Sequence, residues 1–116
     1  MTEFYPAQVE KQLAETVTRL ARSPQVRRDL DKARREAKRV LDVAEAKALL
    51  AASGTVAEKQ AQVVLAVQEE REAFDEAEVA YRYAENQARN LESEQSSWQT
   101  ILRSVLATYN AAGVGA

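Results

Sequence analysis

Apolar residues recur at alternating steps of four and three through the second half of the chain. Counting from Val56, the repeat passes through positions 60, 63, 67, 70, 74, 77, 81, 84, 88, 91, 95, 98, 102, 105 and 109, most of which are apolar. A seven-residue repeat sustained over so many turns is typical of a coiled-coil seam. The segment contains neither proline nor glycine. The pattern therefore predicts one long helix over about residues 56–110.

A helix start signal lies just before this repeat. Thr55 and Glu58 have the spacing of a capping box, in which the Thr hydroxyl accepts a hydrogen bond from the N–H three residues later. Gly54 can adopt the left-handed conformation that closes a preceding helix. Residues 53–55 are therefore predicted to form a tight turn between two helices.

The first half of the chain is predicted to hold two shorter helices. Pro6 suits the first turn of a helix, and apolar residues follow at helical spacing, which predicts a first helix over about 7–22. Ser23-Pro24 joins an N-cap residue to a residue favoured at the first helical position, which predicts a second helix over about 24–52. The same dipeptide is also compatible with a kink between two nearly collinear helices.

The two ends of the chain carry weaker signals. Phe4 and Tyr5 precede the first helix, and either fray or fold back onto a helix. Residues 111–116 combine small residues with two glycines, which predicts a helix stop followed by a flexible tail.

The two arms on either side of the turn match in charge. With the turn near Gly54, residue i of the first arm pairs with roughly residue 109 − i of the second. Residues 19–39 hold nine basic and three acidic side chains, a net of +6, and residues 69–94 hold nine acidic and three basic, a net of −6. Opposite charges across a coiled coil set register and orientation. The prediction is an all-α fold in one domain, a long antiparallel helical hairpin (a coiled coil) with a short, kinked N-terminal helix.

A hairpin of two helices encloses a thin core. A chain of 116 residues needs more buried area to offset the entropy of ordering it. We therefore expect a homo-oligomer, most simply a dimer that is antiparallel or side by side and has a four-helix section. A compact three-helix bundle, with the first helix folded back at Pro24, is the alternative.

Apolar residues beyond the seam mark a candidate interface. The seam is bulky near its C-terminal end, and the second helix is broadly apolar near the turn. Packing of the bulky end inside the chain is the simpler interpretation, and a surface for a second copy or another protein is the sharper one. The candidate interface residues are Phe74, Tyr81, Leu91, Trp98, Leu102, Val105, Tyr109, Val40, Leu49 and Leu50.

A basic block in the second helix is a candidate nucleic-acid surface. Its residues are Arg27, Arg28, Arg34, Arg35, Lys38 and Arg39. Paired arms would bring the acidic block opposite and neutralise it, and no aromatic residue within the block offers base stacking. Protein–protein interaction by a self-associating hairpin is therefore the leading function. Binding of nucleic acid, as an accessory to recombination, is the alternative.

Composition argues against catalysis. The sequence has no cysteine and no histidine, which removes thiolate metal sites and the commonest general base. Glu72 and Glu76 lie one helical turn apart, but the histidines of bundle metal sites do not accompany them. No apolar run reaches the ~20 residues of a membrane span, and the first residues lack a signal-peptide pattern. We expect a non-enzymatic, cytoplasmic protein without cofactor, metal or membrane contact.

Three segments carry a resemblance to a known group of proteins. They are Ala-Ser-Gly-Thr-Val-Ala-Glu-Lys-Gln-Ala at 52–61, Ala-Glu-Val-Ala-Tyr-Arg-Tyr at 77–83 and Glu-Ser-Glu-Gln-Ser-Ser-Trp-Gln at 92–99. About half of the chain thus resembles small coiled-coil proteins of tailed bacteriophages, often encoded among genes for recombination and single-strand annealing. Trp98 and Gln99 depart slightly from that pattern. The resemblance implies a phage accessory protein in the host cytoplasm, with no catalytic residues.

Overall fold

The described part of the chain is helical throughout its regular elements. A computed structural model describes residues 4–112, in which α1 spans Pro6–Ala51, α2 spans Val56–Ala66 and α3 spans Gln68–Ala111. The prediction of an all-α fold is confirmed. The helix stop near residue 111 is also seen, whereas the flexible tail predicted after it falls mostly on residues 113–116, which lie outside the described range together with residues 1–3.

The two helices predicted on either side of Pro24 form one continuous helix, so of the two alternatives at Ser23-Pro24 the structure has no break. Pro24 lies inside α1, where its missing N–H and its ring cost about 3 kcal/mol. The less exposed residues of α1 nevertheless follow an unbroken row at steps of four and three past the proline, at positions 16, 20, 23, 27 and 30. We infer that packing along this row offsets the local penalty.

The long helix predicted over residues 56–110 is interrupted at Val67, which separates α2 from α3. Val67 has φ −112° and ψ 20°, although its N–H still donates to the Val63 carbonyl at 3.1 Å and the Arg71 N–H donates to the Val67 carbonyl at 2.9 Å. The Val67 side chain is 1% exposed. Burial of a valine stabilises by about 1.5–3 kcal/mol, which offsets the local departure from helical geometry.

The predicted seam is present from Val67 onward. Each seam position from Val67 to Tyr109 is buried or half-buried. The repeat position Val63 is half-buried as well, whereas the first two positions, Val56 and Gln60, are exposed and Lys59 is the other inward residue of α2. The inward residues 59, 63 and 67 are therefore spaced by four and four residues, whereas the repeat alternates four and three. The irregular backbone at Val67 compensates for this departure from the seven-residue repeat.

The chain divides into two compact units. The terminal unit has the described residues 4–25 and 85–112, and the turn unit is Val26–Ala84. In the terminal unit, Val9 and Thr16 of α1 and Ala88 of α3 are buried. The Phe4 ring meets the Trp98 ring edge-on, with centroids 5.9 Å apart and planes at 86°. Of the two alternatives for this end, the structure therefore has Phe4 folded back.

In the turn unit, contacts between α1 and α3 follow an antiparallel order. Arg71 forms an ion pair with Glu45 at 2.8 Å, the Lys38 ammonium lies 5.6 Å from the Phe74 ring centroid, and the Arg34 guanidinium lies 4.2 Å from the Tyr81 ring centroid. The residue numbers of these pairs add to 116, 112 and 115. These sums exceed the predicted value of roughly 109 by three to seven residues, so the observed register is displaced by about one to two helical turns.

The turn itself explains this shift. The side-chain amide of Gln62 donates to the Ser53 carbonyl at 2.8 Å, and the Ser53 N–H donates to the Gln62 amide oxygen at 3.3 Å. This two-bond clasp places Gln62, and not a residue nearer Gly54, level with the end of α1. The first residues of α2 therefore extend past the end of α1, which moves every later contact along the helix.

Candidate interaction surfaces

The turn is built largely as the sequence predicts. The Thr55 hydroxyl accepts a hydrogen bond from the Glu58 N–H at 3.2 Å and caps α2. Gly54 has φ +110°, a backbone conformation that residues with a Cβ rarely adopt. The Glu58 carboxylate lies where a Cβ on Gly54 would project. The Gln62 clasp is the part of the turn that sequence reasoning missed, because no short motif signals a glutamine that bonds backbone nine residues away.

Large apolar side chains are exposed around this turn. Leu50 is 88% exposed, Val56 is 74% and Leu65 is 68%, and Leu49 and Val64 are also more than half exposed. We call these five residues the turn-end patch. Leu49 and Leu50 were predicted from the sequence as interface residues, and the structure places Leu49 in one groove with Val64 of α2. Exposed apolar surface shared by two helices, as at Leu49 and Val64, is typical of an interaction site.

Open grooves flank the helices of the turn unit. The first has a volume of about 600 Å³ and is lined by Ala46 and Leu49 of α1 together with Val63 and Val64 of α2. Its polar margin is Asp42, Glu45 and Gln60. The groove therefore continues the turn-end patch along one side of α1.

A second groove lies on the other flank of α1. Its volume is about 390 Å³, its apolar lining is Val40, Val43 and Ala44, and its charged margin is Glu36, Arg39, Lys47 and Glu70. Val40 and Val43 are each 48% exposed. Val40 is a predicted interface residue, whereas Val43 is added by the structure.

The third groove is lined mainly by the outer side of α3. Leu30 of α1 and Val79, Ala80 and Tyr83 of α3 form its apolar lining, in a volume of about 660 Å³. Its margin consists of the carboxylates of Glu72, Asp75 and Glu76. Val79 and Tyr83 are each about two-thirds exposed. This groove combines apolar surface with concentrated negative charge.

The other predicted interface residues lie on the inner side of their helices. Phe74 and Tyr81 are half-buried under the cations of Lys38 and Arg34. In the terminal unit the half-buried residues are Leu91, Trp98, Leu102, Val105 and Tyr109. Packing within the chain therefore occupies part of each of these side chains, and a role at an external interface stays a prediction for them.

A polar cluster in the terminal unit surrounds Glu94. Its Oε1 atom accepts hydrogen bonds from the Thr16 hydroxyl at 3.3 Å and from the Trp98 indole N–H at 3.4 Å, and the Arg19 guanidinium lies 3.7 Å away. Thr16 is fully buried, and its single hydroxyl proton is shared between Glu94 and the Gln12 carbonyl, which lies nearer at 2.9 Å. The cluster supplies hydrogen-bond partners to buried polar groups, which indicates a structural role.

The predicted nucleic-acid residues divide into inner and outer sets. Arg27 and Arg34 are half-buried on the inner row of α1. Arg28, Arg35 and Arg39 are exposed and, with Lys32, follow helical spacing along the outer side of α1. Lys38 is exposed beside Phe74. A short basic row, rather than the whole block, thus faces outward.

The cations of this block pair mostly within α1. Arg34 and Arg35 reach the two oxygens of Asp31 at 2.6 and 3.1 Å, Lys38 lies 3.5 Å from Asp42, and Arg39 pairs with Glu36. Partners three or four residues away are already adjacent on a helix, so pairing with them costs little further ordering. The predicted neutralisation of this block by the acidic arm is not what these pairs show.

No cluster of three metal-ligating side chains lies within the described range of residues 4–112. Among the described helices, none is both long and apolar enough to cross a membrane. Comparison of the chain with protein-family models, with curated proteins and with solved structures finds no match.

Proposed function

We propose that this protein is a non-enzymatic helical hairpin that acts by self-association and protein–protein contact. The observation that carries the proposal is the turn-end patch, in which Leu50, Val56 and Leu65 are each more than two-thirds exposed. Transfer of apolar area from water to an interface favours association by roughly 25 cal/mol per Å². The lack of histidine and cysteine in the sequence supports a role without catalysis.

Two further features support association over a small-molecule role. The grooves of the turn unit are open and lie along helices, which suits a neighbouring helix. The outer side of α1 carries both cations and valines, so it offers steering charge and apolar area together. An accessory role in a tailed bacteriophage, in the host cytoplasm, is proposed on the resemblance alone.

Light scattering coupled to gel filtration tests this proposal. We expect a dimer or larger species across a wide range of concentration. The paired substitution of Leu50→Ser and Leu65→Ser is expected to weaken association at least about tenfold, because each removes most of a leucine side chain. Val17→Ser is the matched control, since Val17 is a partly exposed residue of the terminal unit. A monomer at every concentration would contradict the proposal.

Nucleic-acid binding is the second candidate, and the outward basic row favours it. Arg28, Lys32, Arg35 and Arg39 lie along one exposed side of α1 at spacings of four, three and four. Their spacing would allow several phosphates to be contacted at once, although no aromatic side chain interrupts the row to stack on bases.

Fluorescence anisotropy with single-stranded DNA at several salt concentrations tests the second candidate. Replacing Lys32, Arg35 and Arg39 by Gln should weaken binding and reduce the salt dependence by about 0.7 per lost phosphate contact. The inner residues Arg27 and Arg34 provide the control, because Gln at these two positions should change binding much less. Equal effects of the two sets would exclude the outward row as the binding surface.

A further inference from the structure

The second and third grooves of the turn unit are lined in part by small apolar residues of α1 and α3. Val40 and Ala33 are seven residues apart on α1, and Ala73 and Ala80 are seven apart on α3, so each pair lies along one side of its helix. Val40 lines the second groove and Ala80 lines the third. We call these four residues together with the two grooves the groove face.

The observed register places these residues at matching levels. Contacts between α1 and α3 join residues whose numbers add to 112–116. By that register, Val40 is level with Ala73, and Ala33 is level with Ala80. The Glu45–Arg71 ion pair lies along the opposite flank of the pair of helices, because residues 45 and 40, and likewise 71 and 73, project to opposite sides of the inner rows.

We infer that a second copy of this chain covers the groove face, with α1 of each copy lying antiparallel on α3 of the other. This inference rests on the self-association proposed above and specifies its surface and orientation. Val40 of one copy then packs against Ala73 of the other, and Ala33 against Ala80. Val40 and Ala73 pair a larger side chain with a small one, and Ala33 and Ala80 are both small, so the two helices can approach closely.

Charge selects this orientation. Residues 26–51 carry eight basic and five acidic side chains, whereas residues 68–84 carry six acidic and two basic. The margin of the third groove is Glu72, Asp75 and Glu76, and the outer side of α1 supplies Arg39 at the facing level. Stacking α1 on α3 brings opposite charges together, whereas stacking α1 on α1 opposes like charges.

The same orientation accounts for the turn-end patch. A two-fold axis parallel to the helices brings the turns of the two copies to the same end of the assembly. The exposed Leu50, Val56 and Leu65 of one copy then lie near those of the other. An assembly with α1 on α1 would carry the two patches to opposite ends and leave both exposed.

Cross-linking between single-cysteine variants tests the inference, since the native sequence has no cysteine. Ala33→Cys and Ala80→Cys are made in chains of different mass, mixed, and treated with a short bismaleimide. The expected product is the mixed dimer, formed at least tenfold faster than dimers of either variant alone. Ala46→Cys with Gln68→Cys is the matched control, because both positions are exposed, lie at matching levels and are outside the groove face.

The outcomes separate this inference from the proposed function. If light scattering shows a dimer but the control pair cross-links as fast as the test pair, or Ala33→Cys links mainly to itself, the groove face is overturned and self-association stands. If light scattering shows a monomer, both are overturned. As a second variant, Ala80→Glu is expected to weaken dimerisation at least tenfold with helical circular dichroism unchanged, and dimerisation at full strength would contradict the inference.

Discussion

The guanidinium of Arg34 lies over the ring of Tyr81, with its central carbon 4.2 Å from the ring centroid. Arg34 comes from the basic block and Tyr81 from the predicted seam, so this contact joins the two arms of the turn unit. The charged arms were predicted to meet as ion pairs. At this level they meet through a cation and an aromatic face, while Asp31 of the same helix takes the Arg34 hydrogen bond at 2.6 Å.

A double-mutant cycle with Arg34→Met and Tyr81→Leu measures this contact. We expect a coupling free energy of about 0.5–1 kcal/mol, the usual size for a partly exposed cation–π pair. The measurement is urea unfolding followed by circular dichroism. The cycle with Lys38→Met and Phe74→Leu is the comparison, and its coupling should be smaller because the Lys38 ammonium lies 5.6 Å from the Phe74 centroid. A coupling free energy of zero between Arg34 and Tyr81 would show that this contact does not help to set the register between α1 and α3.

Gly54→Ala should destabilise the protein by about 1 kcal/mol or more. The φ of +110° at Gly54 strains any residue with a Cβ, and the new methyl group would also displace the Glu58 carboxylate. Thermal unfolding measures the effect. Ser53→Ala is the control and should stay within about 0.5 kcal/mol, because Ser53 is exposed and bonds to Gln62 through its backbone. Equal stability of Gly54→Ala and the parent would contradict the observed turn.

Glu94→Ala should destabilise the terminal unit by about 1 kcal/mol, because the Trp98 indole N–H loses its acceptor, whereas the Thr16 hydroxyl keeps the Gln12 carbonyl. Glu94→Gln should lose less, since the amide oxygen can still accept. Trp98 is the single tryptophan of the chain, so its fluorescence reports this site directly. Glu92→Ala, an exposed change two residues away, should leave both emission and stability nearly unchanged. An unaltered Trp98 emission in Glu94→Ala would argue against the cluster.

Arg27→Met should raise the stability of the protein by about 1 kcal/mol. The Arg27 Nε is buried, and within the described residues it has no hydrogen-bond partner. Leaving a buried donor unpaired costs about 1–3 kcal/mol, and methionine keeps the apolar part of the side chain. Chemical denaturation compares this variant with Arg28→Met, whose exposed position should make the change nearly neutral. A loss of stability in Arg27→Met would show that the rest of the guanidinium is needed on the inner row.

The seam and the turn were readable from the sequence because both are local. Alternating steps of four and three place residues such as Phe74, Tyr81 and Trp98 on one side of a helix whatever that helix packs against. Thr55 and Glu58 cap α2 through a contact within one helical turn, and Gly54 supplies the positive φ. These features depend on residues at most seven positions apart, so they survive in almost any tertiary arrangement.

Tertiary structure decided what depends on the sum of many distant contacts. It kept α1 continuous through Pro24 and interrupted the helical geometry at Val67. It also set the register between α1 and the second arm through the hydrogen bonds between Gln62 and Ser53. It placed Thr16, Arg27 and Arg34 on the inner row and left Val40 and Val43 outside. Spacing alone could not show this, because α1 is apolar on several sides near the turn and many inner rows are locally possible. Which row faces α3 is fixed by packing along both helices at once, with contributions too small to read one residue at a time.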